Sequence, residues 1–183
     1  MERTLQNNPR TTGRIAPISF SRGLGWGLIG GLAGTMIMDL ILIGALPAAG
    51  LPALTCFSIV GNTVARFFSM QNTEIAYAIQ LGVIMHYLVG PLFGAIFGML
   101  VARVEALRVN TLKKSILLAI VYVEILSQPM LATTPILLKM TVPVTLQWYC
   151  GSFIMHLLMA VVLGSIVGYG LRLTPLATQR RAQ

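Results

Sequence analysis

The sequence predicts an all-α, polytopic membrane protein, a four-helix transmembrane bundle built from two repeated helical hairpins. Three observations carry this. Hydrophobic residues make up 56% of the 183-residue chain and charged residues 10%, with a mean hydropathy of +0.80, against roughly 25% charged residues in a soluble domain. Four segments are apolar over the roughly 20 residues that a helix needs to cross a bilayer core. A short histidine-containing pattern in the second segment returns in the fourth. Eighteen charges cannot cover a water-facing surface of this size, so a soluble enzyme, a disordered tail and a nucleic-acid-binding module are excluded.

Residues 1–22 lack hydrophobic periodicity, carry Arg3, Arg10, Arg14 and Arg22, and read as a basic arm rather than a cleaved signal peptide, because the apolar stretch that follows is too long for one. The transmembrane domain is expected over residues 23–172. Its first repeat covers about 23–103, its second about 111–172, and a solvated tail covers 173–183. Span one is expected over 24–46, with Asp39 its only charge, and span two over 75–101, closed by Arg103. Span three should start at Ser115, carry Glu124 and end near Pro129, and span four should cover 148–171, closed by Arg172. The connection from Pro52 to Met70 is too apolar for a free loop and is expected to form a short interfacial or re-entrant helix. The connection from Pro135 to Gln147 is also apolar and is punctuated by Pro135 and Pro143.

Eleven basic residues fall on the side of the termini and of the loop with Arg103, Arg108, Lys113 and Lys114, while Arg66 and Lys139 alone fall on the other. The positive-inside rule then expects both termini in the cytoplasm of a bacterial or archaeal inner membrane. The net charge of +8 is thereby a topology signal, with some attraction to anionic lipid and none implied for nucleic acid.

The repeat rests on Ile84-Met85-His86-Tyr87-Leu88 followed by Gly90, Gly94 and Gly98, and on Ile154-Met155-His156-Leu157-Leu158 followed by Ala160, Gly164 and Gly168. Small residues four apart let membrane helices approach closely. Gly27 and Gly31 of span one extend the same spacing, so Gly27, Gly31, Gly90, Gly94, Gly98, Gly164 and Gly168 are expected helix-packing positions. Asp39 and Glu124 occupy comparable places in spans one and three.

Intramembrane ionisable groups are expensive and mark functional sites by default. The four here are Asp39, His86, Glu124 and His156, all expected at similar depth in the half of the bundle away from the termini. Three chemistries fit. His86 and His156 could ligate a b-type haem from both faces; all four residues could hold a transition metal; or Asp39 and Glu124, with the imidazoles, could relay protons or meet a quinone headgroup. Against these stands a structural reading in which each half carries an acid–histidine hydrogen bond tying its two helices together. The scattered methionines read as packing residues. Cys56 and Cys150 fall on one side and could pair. No phosphate loop, nucleophile elbow or zinc motif occurs.

The Gly30-Gly31-Leu32-Ala33-Gly34-Thr35 run, the apolar connection, and the His86-x3-Gly90-x3-Gly94 and His156-x7-Gly164-x3-Gly168 patterns resemble an uncharacterised family of four-span bacterial integral membrane proteins with His/Gly-rich second and fourth spans. The resemblance covers about residues 23–172 and implies the fold alone. So small a chain, with apolar connections and glycine seams, leaves little room for a substrate cavity of its own. Its expected role is therefore non-enzymatic: an accessory or scaffold subunit of a larger membrane complex, respiratory or redox in character, whose partners are lipids and other membrane subunits or a second copy.

Overall fold

The structure, a computed structural model, describes residues 19–68 and 75–180, and the side chains of these apart from 75, 76 and 173–180. The expected arm up to residue 18, Met70, Glu74 and the last three residues of the tail lie outside the described residues. Five α-helices follow in order: α1 (Phe20–Ala48), α2 (Thr55–Phe67), α3 (Ile75–Arg103), α4 (Leu112–Leu138) and α5 (Val142–Arg180), with a 3-10 turn at Glu105–Leu107. Four of them, α1, α3, α4 and α5, are long and apolar enough to cross a membrane. The fifth, α2, is the short helix expected between spans one and two.

Helix starts and stops follow local chemistry. The Ser19 side chain accepts from the Arg22 amide and caps α1; Thr111 accepts from the Lys114 amide and caps α4. After Pro47 the chain leaves α1 and turns through Gly50, whose φ of 76° lies where a side chain is disfavoured. The expected end of span three near Pro129 is corrected. α4 runs through Pro129 and Pro135 to a left-handed Lys139 at φ 53°. Pro135 leaves the Leu131 carbonyl without its helical N–H, and the Trp148 indole on α5 donates to that carbonyl at 3.3 Å, the kind of side-chain satisfaction that lets proline persist in membrane helices. The long apolar connection expected from Pro135 to Gln147 is therefore a three-residue turn, and α5 begins at Val142 with Pro143 in its first turn, where a missing N–H costs nothing.

α1 lies antiparallel to α3, and α4 antiparallel to α5, with α1 also packed along α5. Along the α1–α3 seam Gly23, Gly27 and Gly31 face Gly98, Gly94 and Gly90; a Cβ on Gly94 would collide with the Gly27 carbonyl. Along α4–α5 the Ser115 hydroxyl donates to the Gly164 carbonyl at 2.6 Å, and Gly168 rests on Leu112 and Ser115. The halves are not packed equivalently. α1 meets α5 directly, Gly30 against Leu163 and Gly34 against Met159, whereas α3 and α4 barely touch, joined by the Tyr122 hydroxyl donating to the Phe93 carbonyl at 2.9 Å. The space between α3 and α4 is bridged by α2, through Gly61 on Ala78, Phe57 on Gly82, and Thr63 on Thr134 at 3.2 Å.

The densest core lies toward the termini, where Phe97, Val101, Val123, Leu163, Val167 and Leu171 close the bundle. Arg172 donates to the Asn110 carbonyl at that end and ties α5 to the α3–α4 connection. The opposite half is held apart by α2, and there the bundle is hollow.

Candidate functional site

The hollow is a cavity of about 460 Å³. Its walls come from α1 (Thr35, Met38, Leu42, Leu46), α2 (Cys56, Ile59, Val60), α3 (Met85, His86, Val89), α4 (Ser127, Met130, Leu131) and α5 (Trp148, Met155, His156, Met159), and it reaches the α1–α2 connection at Leu51 and the α4–α5 turn at Met140. The expectation of too little room for a private cavity is thus overturned. It failed because α2, expected as a short interfacial or re-entrant helix, packs on both α3 and α4, which themselves barely touch.

Asp39 sits two turns beyond Gly31 on the α1 face that meets α3, and is only 2% exposed. Its Oδ1 lies 2.9 Å from Nδ1 of His86 on α3. The glycine register produces this contact: Gly27 opposite Gly94 and Gly31 opposite Gly90 bring the next turns, with Asp39 and His86, together between the helices. A carboxylate only accepts hydrogen bonds, so Nδ1–H donates, and Nε2 is left as the nitrogen with a lone pair. The Phe57 ring leans on the imidazole, centroids 5.1 Å apart and planes at 57°. Cys56, beside Phe57 on α2, lines the same cavity as His86. Tyr87, next on α3, senses the Asp39 carboxylate as well. The second carboxylate oxygen, Oδ2, is buried with no hydrogen-bond partner.

The second half differs. Nine residues on from Ser115 is Glu124 and nine back from Gly164 is Met155, so the Ser115–Gly164 register sets Glu124 level with Met155 and His156. Yet no bond forms. Both Glu124 carboxylate oxygens and Nδ1 of His156 are buried without hydrogen-bond partners. Ser127 and Gln128, three and four residues on, donate to the Glu124 backbone carbonyl at 3.0 and 3.1 Å. His156 lines the cavity; Glu124 does not.

Of the four expected ionisable residues, the structure therefore joins Asp39 to His86, brings His156 to the same cavity, and leaves Glu124 outside it. The expectation of a self-contained pair in each half is corrected for the second half. Among the described residues no three His, Cys, Asp or Glu side chains gather in a group that could hold a metal ion; Glu124 does not line the cavity, and Asp39 is engaged by His86. Cys56 and Cys150 are both free rather than paired; Cys56 faces the cavity and Cys150 is exposed on α5. Sequence reasoning passed over Phe57 as a neighbour of His86. The available signal was the pair Gly61 and Gly82, small residues that allow α2 to lie backbone-to-backbone on α3. No family model, curated protein or solved structure matches this chain.

Proposed function

We propose that this chain is a membrane-embedded binding site for a lipid-like molecule with an apolar body and a hydrogen-bonding head. The cavity carries the reading. Its size falls within the roughly 300–1,000 Å³ of small-molecule sites, which are apolar with a few polar groups placed to orient the ligand. The polar groups along it include the two imidazoles, Thr35, Ser127, Gln147 and Ser152. A buried donor or acceptor without a partner costs about 1–3 kcal/mol, and Nδ1 of His156 is one such group. A carbonyl, ester or quinone head reaching His156 supplies the missing bond, while an acyl or prenyl body lies along the methionines and leucines.

A haem held by both histidines has less support, because Nδ1 of His86 is engaged by Asp39 and its ring is flanked by Phe57. The accessory-subunit reading drew on the absence of a cavity, and the cavity removes that ground. The basic residues at the end shared by the termini support a cytoplasmic side for that end under the positive-inside rule, and with it an outer-half position for the cavity. The two hairpins, on this reading, are copies of one unit that diverged when α2 entered the first.

The test is photo-cross-linking with a diazirine fatty acid on protein in phospholipid nanodiscs. Adducts mapped by peptide mass spectrometry should concentrate on Met85, Met155 and Met159, be competed by excess oleic acid, and vanish in Met155→Trp, which fills the cavity. Adducts confined to exposed Leu40, Ile84 and Leu88, with no competition, would overturn the reading.

A further inference from the structure

Methionine usually fills the gaps that stiffer side chains leave. Six of the ten methionines here line a hollow instead, among them Met38, Met85, Met155 and Met159. Both copies of the repeated Met-His pair, Met85-His86 on α3 and Met155-His156 on α5, turn to that hollow. α1 sets their heights. Gly31 lies against Gly90, four residues on from His86, and Gly34 lies against Met159, three residues on from His156. In these antiparallel registers the imidazoles stand level with Thr35 and Ile37 of α1, about 3 Å apart in height at roughly 1.5 Å per residue. Two thioether–imidazole pairs thus meet at one depth from two neighbours of the same helix.

The donors form a soft set. His86 gives its Nδ1 proton to Asp39 at 2.9 Å, and Nε2 keeps its lone pair. A carboxylate on the opposite ring nitrogen is the usual companion of a metal-bound histidine, because it fixes the tautomer and raises the basicity of the ring. Nδ1 of His156 has no hydrogen-bond partner. Among the described residues no group of three His, Cys, Asp or Glu forms around the imidazoles, so the donors that can complete a coordination shell are thioethers. Imidazole suits several transition ions, but thioether sulfur selects Cu(I). Charge agrees. Imidazole and thioether are neutral ligands, and among the described residues no Lys or Arg lines the hollow. Asp39, buried beside His86 with Oδ2 unpaired, balances one positive charge. A divalent ion would leave an uncompensated charge in an apolar space, which is costly.

We propose that the hollow holds a cuprous ion, ligated by Nε2 of His86, a ring nitrogen of His156 and thioether sulfur from among Met85, Met155 and Met159. Asp39 is the positioning residue and the counter-charge. The ion is independent of the lipid-like molecule, since one ion takes little of a space of about 460 Å³.

The experiment uses the full chain in nanodiscs, free of oxygen and with reductant, titrated against the coloured Cu(I) complex of bicinchoninate. The chain should withdraw a single equivalent of Cu(I), and a large excess of zinc(II) should not displace it. Copper-edge X-ray absorption should show nitrogen and sulfur together around the ion. Met155→Leu and Met159→Leu combined, which remove sulfur and keep volume, should weaken binding at least about tenfold, as much as an outer-shell partner contributes. His86→Ala should weaken it further. Asp39→Asn still accepts from Nδ1 but carries no charge, and should weaken it about 10- to 100-fold. Replacing both cysteines with Ser, or Met36, exposed on α1, with Leu, should change nothing. Binding that vanishes with the cysteines, that survives the His86 and methionine changes, or that zinc displaces would each overturn the inference, as would a spectrum without sulfur. If His86→Ala does not fold, the paired leucine variant still decides, because leucine for methionine is a volume-conserving exchange. That variant keeps an apolar wall, so photo-cross-linking at Met85 should persist in it, and the copper and lipid readings fail separately.

Discussion

The two hairpins begin from similar ingredients and end differently. In the first, α1 and α3 meet backbone to backbone over three glycine contacts, and Asp39 reaches His86 across the seam. In the second, α4 and α5 meet through Ser115, Ile116 and Ala119 on Gly164, and Glu124 and His156 stand level without bonding. An acid and an imidazole at the same depth are thus insufficient to make a pair. In the first hairpin glycine on both sides brings the backbones close enough for a short carboxylate to bridge, whereas in the second α4 and α5 also come close at Gly164 yet Glu124 stays unpaired, so the face each helix turns to its neighbour matters as well. The further difference is α2, which sets the Phe57 ring against His86, while the corresponding imidazole, His156, lines the cavity with its Nδ1 unpartnered.

The first way to break the comparison is to separate the backbones. Gly94→Leu sets a side chain against the Gly27 and Gly31 backbones, which cannot yield, and should cost 3 kcal/mol or more, beyond the roughly 1–3 kcal/mol of an overpacked core. Gly168→Ala meets only Leu112 and Ser115 side chains and should cost about 1 kcal/mol. Reversible unfolding in mixed micelles measures both, and equal losses would remove the distinction between the seams.

A smaller effect separates the acids. Asp39→Ala leaves His86 without its partner and should cost about 1–2 kcal/mol, toward the top of measured membrane hydrogen bonds. Glu124→Gln replaces a carboxylate that lacks any hydrogen bond to its oxygens and should be neutral or stabilising by up to about 1 kcal/mol, because a buried unpaired charge is itself costly. A destabilised Glu124→Gln would mean that this carboxylate has a partner in the folded protein.

The bundle itself was legible in the sequence, and for a physical reason. A segment such as 24–46 has to satisfy its backbone within lipid, and helix is the only single-segment solution. The ends were less legible. Pro129 and Pro135 look like stops, yet α4 continues to Leu138, and the Leu131 carbonyl that Pro135 frees accepts from the Trp148 indole of a distant helix. In the site, the meeting of Asp39 and His86 could be read from repeated glycine spacing, because register propagates along a straight seam. The isolation of Glu124 could not, since it depends on the rotation of α4 about its own axis. The cavity was hidden altogether: its walls are methionine, leucine and valine, the residues that would equally well fill a solid core, and it exists because α2 occupies the gap between α3 and α4.

The smallest expected effect sharpens the second hairpin. Ser115→Ala deletes the hydroxyl bond to the Gly164 carbonyl and should cost about 0.6 kcal/mol, the mean of such bonds in membrane proteins, with cavity cross-linking unchanged. A loss of cross-linking in this variant would show that the seam near the termini controls the hollow half.

The unequal pairing of the two acid–histidine sets is tested most directly by two double-mutant cycles on the unfolding free energy, one on Asp39→Ala with His86→Ala and one on Glu124→Ala with His156→Ala. Residues in contact couple and residues that do not share an interaction add. The first cycle should return a coupling of about 1 kcal/mol and the second a value indistinguishable from zero. Equal couplings in the two hairpins, or a larger one between Glu124 and His156, would contradict it.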